Sequence, residues 1–207
     1  MSIKIKISKK PIEYKKAISL LQSRAEKLSS KCNISELIWV LEHPPTYTGG
    51  TSHLDDEILD KSINVIKTNR GGKVTFHGPG QIIFYVAINL SQRKKDIRWF
   101  IKILEKTIIQ TLSDYKINAY ADRRNIGIWV NYRKKKRKIG AIGLKVRKWV
   151  VYHGFSLNLS VNIDNFFKIK PCGLKSEQIC NLKEIKKDKF TNIKIKLINN
   201  FIKNLNI

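Results

Sequence analysis

Acidic residues are scarce in this chain: sixteen Asp and Glu stand against forty-one Lys and Arg, a formal charge of +25 over 207 residues. Cysteine is scarcer still, with Cys32, Cys172 and Cys180 forming an odd and widely spaced set. That pattern argues against a disulfide framework and for a reducing cytoplasm. No stretch approaches the roughly 18 uninterrupted apolar residues of a membrane span, so no membrane association is expected. The start, Met1 to Lys10, alternates apolar and basic residues like an edge strand and lacks the continuous apolar segment of a secretory leader. Closely spaced Cys or His pairs of structural-zinc type are missing, as are a Gly-Lys-Ser/Thr phosphate loop and a dinucleotide glycine fingerprint. Neither a metal nor a cofactor is therefore expected. Glycine is few and unevenly placed: all eleven lie between Gly49 and Gly173. Special backbone geometry is thus confined to the middle of the chain, where a site should be sought.

The charge admits two readings. A nucleic-acid binder would gather its basic residues on a stripe to neutralise phosphates. Here the lysines are scattered over every segment, and Lys, Ile and Asn, the residues of A/T-rich codons, crowd the chain together. Compositional bias is the simpler account, with attraction to an acidic protein partner as a secondary benefit. No nucleic-acid partner is expected.

With 42% apolar residues and no repeat or linker, 1–207 reads as one globular domain. Pro11 to Leu28 has helical spacing, with Pro11 suited to a first turn. Leu37–Leu41 and Asn64–Lys67 read as strands, the former stopped by Pro44-Pro45. Ile97 to Leu112 is a second amphipathic helix. Ile126–Val130, Ile139–Val146 and Trp149–Leu159 form a β series with turns near 131–136 and 147–148. A last helix starts near Thr191 or Asn192 and shares Ile193, Leu197, Phe201 and Leu205 on one face. Irregular alternation around a β-rich middle gives the class α+β.

The most unusual stretch is Arg70-Gly71-Gly72-Lys73-Val74-Thr75-Phe76-His77-Gly78-Pro79-Gly80-Gln81, followed by the buried strand Ile82–Leu90. Four glycines and a proline in twelve residues read as a loop passing close to a ligand, held still by the strand behind it. Downstream, Pro171-Cys172-Gly173 makes a tight turn, which suits a nucleophile and equally a structural cysteine. Cys180 reads as a helix-face residue and Cys32 as a loop residue. A thiol needs a helper to form thiolate. His77 and His153, both on glycine turns, are candidates, and a nearby lysine would also serve. His43 and His53 read as loop residues. Within the basic run Arg133 to Lys138, the early part is a solvated hairpin turn. Lys138 differs, since it opens the small-residue strand Lys138-Ile139-Gly140-Ala141-Ile142-Gly143-Leu144.

Taken together, these stretches resemble the lipoyl(octanoyl) transferase family. The matches are Glu42–Thr48, Arg70–Gln81 with Tyr85, Lys138–Gly143, His153–Asn158 and Phe166 through Gly173, in the family's order; Gly49-Gly50 and Ile179–Leu182 depart from its usual pattern. The resemblance implies the fold of biotin and lipoate protein ligases, a mixed or antiparallel sheet with helices packed on it. It implies that Cys172 takes octanoyl from the phosphopantetheine thioester of octanoyl-acyl carrier protein, with Lys138 helping to form the thiolate and later accepting a proton. It also implies that Arg70, Gly71, Gly72, Lys73, Val74, Thr75, Phe76 and His77, with Ala141, Ile142, Gly143, Gly154, Phe155 and Ser156, line the acyl pocket. The acceptors it implies are lipoyl domains of 2-oxoacid dehydrogenase E2 subunits and the glycine cleavage H protein, acted on by a monomer. Three rival readings are an ATP-dependent lipoate-protein ligase on the same fold, which would not need Cys172, a basic nucleic-acid-binding module, which leaves the glycine loop and the Pro171-Cys172-Gly173 turn unexplained, and a structural protein with an inert Cys172, which should show no acyl adduct.

Overall fold

The β-rich middle of the chain supplies the frame on which everything else is hung. A computed structural model describes residues 2–30 and 32–205. Among the described residues, ten strands form two sheets: β1 (Ile3–Ile7), β2 (Glu36–Leu41), β3 (Thr46–Gly49), β4 (Val65–Lys67), β5 (Val74–His77), β6 (Gln81–Asn89), β7 (Ala119–Ala121), β8 (Ile128–Tyr132), β9 (Lys135–Arg147) and β10 (Val150–Asn158). Four helices accompany them: α1 (Tyr14–Ser29), α2 (Ile97–Ser113), the short α3 (Leu182–Ile185) and α4 (Ile193–Leu205). The larger sheet has seven strands in the order β1-β2-β6-β10-β9-β8-β7 and the smaller has three, β4-β3-β5. Each contains one parallel pair, β1 with β2 and β3 with β4, and is otherwise antiparallel. This is the α+β architecture that the composition suggested.

Strands β6 and β10 lie at the centre, and every one of their residues is buried. Their apolar runs serve two layers at once, because successive side chains point to opposite faces. From β6, Ile83, Tyr85 and Ala87 join Leu21, Leu28 and Trp39 under α1. Ile82, Phe84, Val86 and Ile88 join Phe100, Leu104 and Phe201 under α2 and α4. Phe84 stacks on Phe155 of β10 at 4.8 Å. A third cluster, including Val74, Phe76, Phe166 and Ile169, fills the space between the small sheet and the turns after β10.

The structure moves several boundaries. Pro11 precedes the first residue of α1 by three positions, so it serves the approach to the helix and not its first turn. The stretch Arg70–Gln81 is not all loop: Val74–His77 pairs with β3, which itself follows the two prolines. Paired glycines flank this strand, and they mask its alternation. Strand β9 begins at Lys135, making Lys138 its fourth residue. The hairpins turn at Arg133-Lys134 and Lys148-Trp149, all four with positive φ, the two-residue connection that matches strand twist. Cys180 lies in extended chain between a 3-10 turn and α3, not on a helix face. Helix α4 starts at Ile193, with the Asn192 carbonyl accepting the Lys196 N–H. Among the described residues, no helix is long and apolar enough to cross a membrane.

Candidate active site

The three cysteines separate by environment. Cys32 is exposed. Cys180 is buried, and burial first, then the charge of Glu184, pushes its thiol up to about 12. Cys172 is half-buried and borders a cavity of about 660 Å³. Its turn is tied at both ends: the Lys170 N–H donates to Glu57 O at 2.7 Å, and the Gly173 and Leu174 N–H groups donate to Lys170 O and Pro171 O at 3.0 Å. Cys172 itself has φ 56 and ψ 26, followed by Gly173 at φ 72. A left-handed non-glycine residue costs about 1 kcal/mol, so its neighbours must hold it there.

Lys138 reaches the same cavity from β9 and, with Cys172, also borders a smaller void of about 20 Å³ behind it. The structure thus brings together the two residues that lie far apart in sequence. Lys138 is only 4% exposed, and its Nζ donates to Ile126 O at 2.8 Å. Gly127 makes this fit: at φ 141, an added Cβ would stand 2.4 Å from Lys138 Cε and 2.6 Å from Gly140 O. The segment carrying Ile126 is anchored by an ion pair of Asp122 with Lys136 and by Trp129 Nε1 donating to Asn125 O at 2.8 Å. Lys136 holds the Asp122 carboxyl well below the usual carboxylate range. Sequence reasoning passed over Gly127; its signal was a lone glycine one residue ahead of a strand. The chain after Cys172 returns to β9 through a bridge of Ile179 to Lys138 and the Cys180 N–H on Lys138 O at 3.1 Å.

The remaining expected pocket residues divide cleanly. Gly71, Gly72, Lys73, Thr75, His77, Ala141, Ile142, Gly143, Gly154, Phe155 and Ser156 line the cavity with Arg70. Val74 and Phe76 do not: alternation along β5 turns Thr75 and His77 to the cavity and those two into the third core cluster. Arg70 has more to do with the loop than with any ligand. Its Nη2 donates to Thr48 O, Thr48 Oγ1 and Lys73 O, each at 2.9 Å, and Nη1 to Gly71 O at 3.2 Å. On the opposite side Gly143 and Gly154 are cross-strand partners, and a Cβ on Gly154 would fall 2.0 Å from Phe84 O. Gly71 N–H donates to Leu144 O at 2.9 Å, joining loop to sheet.

Neither candidate histidine is built to activate Cys172. Burial first, then the neighbouring charges of His43 and Arg70, lowers His77 to about 3. Burial and Arg70 do the same for His153, also about 3, and burial lowers His43 to about 4. All three are neutral at pH 7 and are weak bases. His77 Nδ1 faces Gln81 Oε1 at 2.7 Å, His153 Nε2 faces Asn69 Oδ1 at 2.9 Å, and His43 Nε2 faces Tyr85 Oη at 2.8 Å. Tyr14 stacks on His77 at 5.9 Å. Tyr14, His77, Tyr85 and His153 line the cavity, and His43, read from sequence as a loop residue, is fully buried against the first three. Among the described residues, no group of three or more His, Cys, Asp or Glu is placed to hold a metal ion.

A thiol in a tied turn, a lysine beside it and a deep, largely apolar cavity suit acyl transfer through a covalent intermediate. Residues 14–202 match the family model described as "Lipoyl protein ligase A/B catalytic domain". The chain is similar to a protein named octanoyltransferase from Ehrlichia chaffeensis, 42% identical over 185 residues, covering 88% of this chain and 86% of that protein. It is also similar to an octanoyltransferase of Anaplasma phagocytophilum, 38% identical over 190 residues, with 91% of each covered. In fold it resembles a bi-partite lipoate protein ligase from Thermoplasma acidophilum, with TM-score 0.71, 15% identity, and 100% of this chain and 85% of that one covered. A biotin protein ligase from Aquifex aeolicus shares the fold more distantly, with TM-score 0.57, 11% identity and 99% and 70% covered.

Proposed function

The chain belongs to the lipoyl protein ligase A/B catalytic-domain family, and from that premise we propose that residues 1–207 act as one cytoplasmic, monomeric octanoyltransferase domain. The donor is octanoyl-acyl carrier protein, and the acceptors are the lysines of lipoyl domains in 2-oxoacid dehydrogenase E2 subunits and the glycine cleavage H protein. One observation carries the reading: Cys172 and Lys138 border the same cavity and the same small void within a chain about 40% identical to octanoyltransferases.

The chemistry follows from that pairing. The Cys172 thiolate attacks the octanoyl carbonyl, and the carbon–sulfur bond to the phosphopantetheine breaks. The departing thiolate takes a proton from the Lys138 ammonium, leaving octanoyl on Cys172 and Lys138 neutral. The acceptor's ε-amine then attacks the Cys172 thioester. Lys138 takes the amine's extra proton, Cys172 leaves as thiolate, and the resting charges are restored. Exchange between thioesters is nearly balanced and aminolysis runs downhill, so the sequence of steps closes without nucleotide. The cavity stabilises the chain: about six buried methylenes at ~0.8 kcal/mol each contribute ~5 kcal/mol. Small residues at Ala141, Gly143 and Gly154 line the cavity.

The test is intact mass after mixing the protein with octanoyl-acyl carrier protein without ATP. The expected result is one octanoyl increment that is lost in Cys172→Ala and passes to an added apo lipoyl domain. Lys138→Ala should slow acyl-enzyme formation on the order of 10³-fold with the thermal midpoint little changed. An increment that persists in Cys172→Ala would overturn the mechanism.

A further inference from the structure

Cys172 has a second lysine near it, and the two are held by unlike partners. Lys138 Nζ rests on the neutral carbonyl of Ile126 at 2.8 Å. Lys73 Nζ lies 2.5 Å from Glu57 Oε1. A carbonyl attracts an ammonium through a dipole, whereas a carboxylate does so through a full charge and keeps the proton in place.

Glu57 is held in place. It is 2% exposed, and its Oε2 accepts the Leu54 and Val74 N–H groups at 3.3 and 3.4 Å. Its own carbonyl accepts the Lys170 N–H at 2.7 Å, two residues before Cys172. A single 3-10 turn, Asp55–Glu57, therefore secures the lysine with a side chain and the cysteine turn with its backbone. Lys73 in turn lies across Gly173: a Cβ there would stand 3.1 Å from Lys73 Nζ and 3.2 and 3.3 Å from Cδ and Cε. Glu57 chiefly, then Asp56 and Cys172, raise the Lys73 pKa. The Glu57 contact uses one of the three ammonium donors and leaves two.

We infer that Lys73, clamped by Glu57, is a permanent cation that stabilises the Cys172 thiolate and leaves proton transfer to Lys138. This rests on the reading of Cys172 as the acyl carrier. It divides one task between two lysines: one keeps its proton throughout, and the other gives it up and takes it back. Lys73 acts by position and charge alone, so arginine should replace it, and arginine should not replace Lys138.

The experiment is the pH dependence of iodoacetamide alkylation, read on the Cys172 peptide of the full chain. In Lys73→Met the midpoint should rise by about one pH unit at low salt, and the difference should shrink at high salt because the pair is partly exposed. Lys73→Arg should restore the wild-type midpoint. Because Lys73→Met leaves a buried carboxylate unpaired, the double variant Glu57→Gln/Lys73→Met is measured beside it and should move the midpoint the same way. In single-turnover octanoyl transfer, Lys73→Arg should recover most of the rate lost in Lys73→Met, while Lys138→Arg should stay on the order of 10²-fold slow. An unmoved midpoint in Lys73→Met and in Glu57→Gln/Lys73→Met, or equal failure of the two arginine variants, overturns the inference. Failure of the wild-type protein to take octanoyl on Cys172 would instead overturn the reading beneath it.

Discussion

The cavity has two walls built on opposite principles. On one side, β6, β10 and β9 are paired residue by residue, and the backbone ladder sets every position. Glycines there let neighbouring backbone approach closely, as at the Gly143–Gly154 pair, which meets the Arg70 loop and Phe84 O. On the other side, 70–73 and 170–174 are irregular or single-turn segments flanking the short strand β5, held by scattered contacts: the Arg70 side chain gathers the carbonyls of Thr48, Gly71 and Lys73, and the Glu57 carbonyl ties the cysteine turn. A ladder is stiff and tolerates no added atom. A side-chain-braced loop can place a nucleophile in a left-handed conformation that a strand does not offer. A stiff wall and a braced one thus face the same cavity, with Cys172 on the second.

The contrast can be broken in three places. The largest effect is expected at Gly154→Ala, where a methyl group would meet Phe84 O between the two central strands. It should cost at least about 3 kcal/mol of folding stability, seen as a lower urea midpoint; a loss under ~1 kcal/mol would mean that the ladder yields and the stiff wall is not stiff. Gly127→Ala is next. Its methyl would occupy the place of the Lys138 side chain, so single-turnover transfer should fall about 10²-fold, with a smaller loss of stability. Unaltered transfer would show that Lys138 does not depend on its Ile126 seat.

The smallest effect concerns the floor where the walls meet, His77 from the braced side and His153 from the ladder, with His43 below. Their folded values of about 3, 3 and 4 lie below that of a free imidazole. Unfolding therefore takes up protons as pH falls, and the stability these residues contribute is full above pH 6.5 and is lost towards pH 4. Each should cost about 1 kcal/mol between pH 7 and 5.5, measured as a falling urea midpoint. In His43→Gln the slope of midpoint against pH should be shallower; an identical slope would remove His43 from the floor's titration.

The two walls also differ in how far they could be read from sequence. Strand β6 and helix α2 announce themselves, because a long run or a 3.6-residue period needs no partner to be recognised. Strand β5 does not, since Gly71-Gly72 and Gly78-Pro79-Gly80 surround four residues whose alternation becomes visible only once β3 is beside them. Cys172 and Lys138 stood out through family resemblance; the residues alone left the cysteine turn ambiguous and favoured histidine helpers that burial has made weak bases. Glu57 was invisible, because its three roles rest on contacts with Lys73, Val74 and Lys170, all more than a dozen residues away. Gly127 was visible as a glycine but not as the space for a lysine that follows eleven residues later. Long-range complementarity of this kind leaves no local period to find.

The free edge at β1 has its own consequence. Among the described residues its outer backbone groups have no neighbouring strand, and Ile5 and Ile7 are 48% and 39% exposed, which makes it a template on which another extended chain could polymerise. Lys4 and Lys6 interleave those isoleucines on the opposite face, so a second copy arriving edge to edge would bring like charges into register. Neutralising the two ammoniums, by acetylation for example, would turn this strand from a guarded boundary into an adhesive one while leaving the cavity untouched.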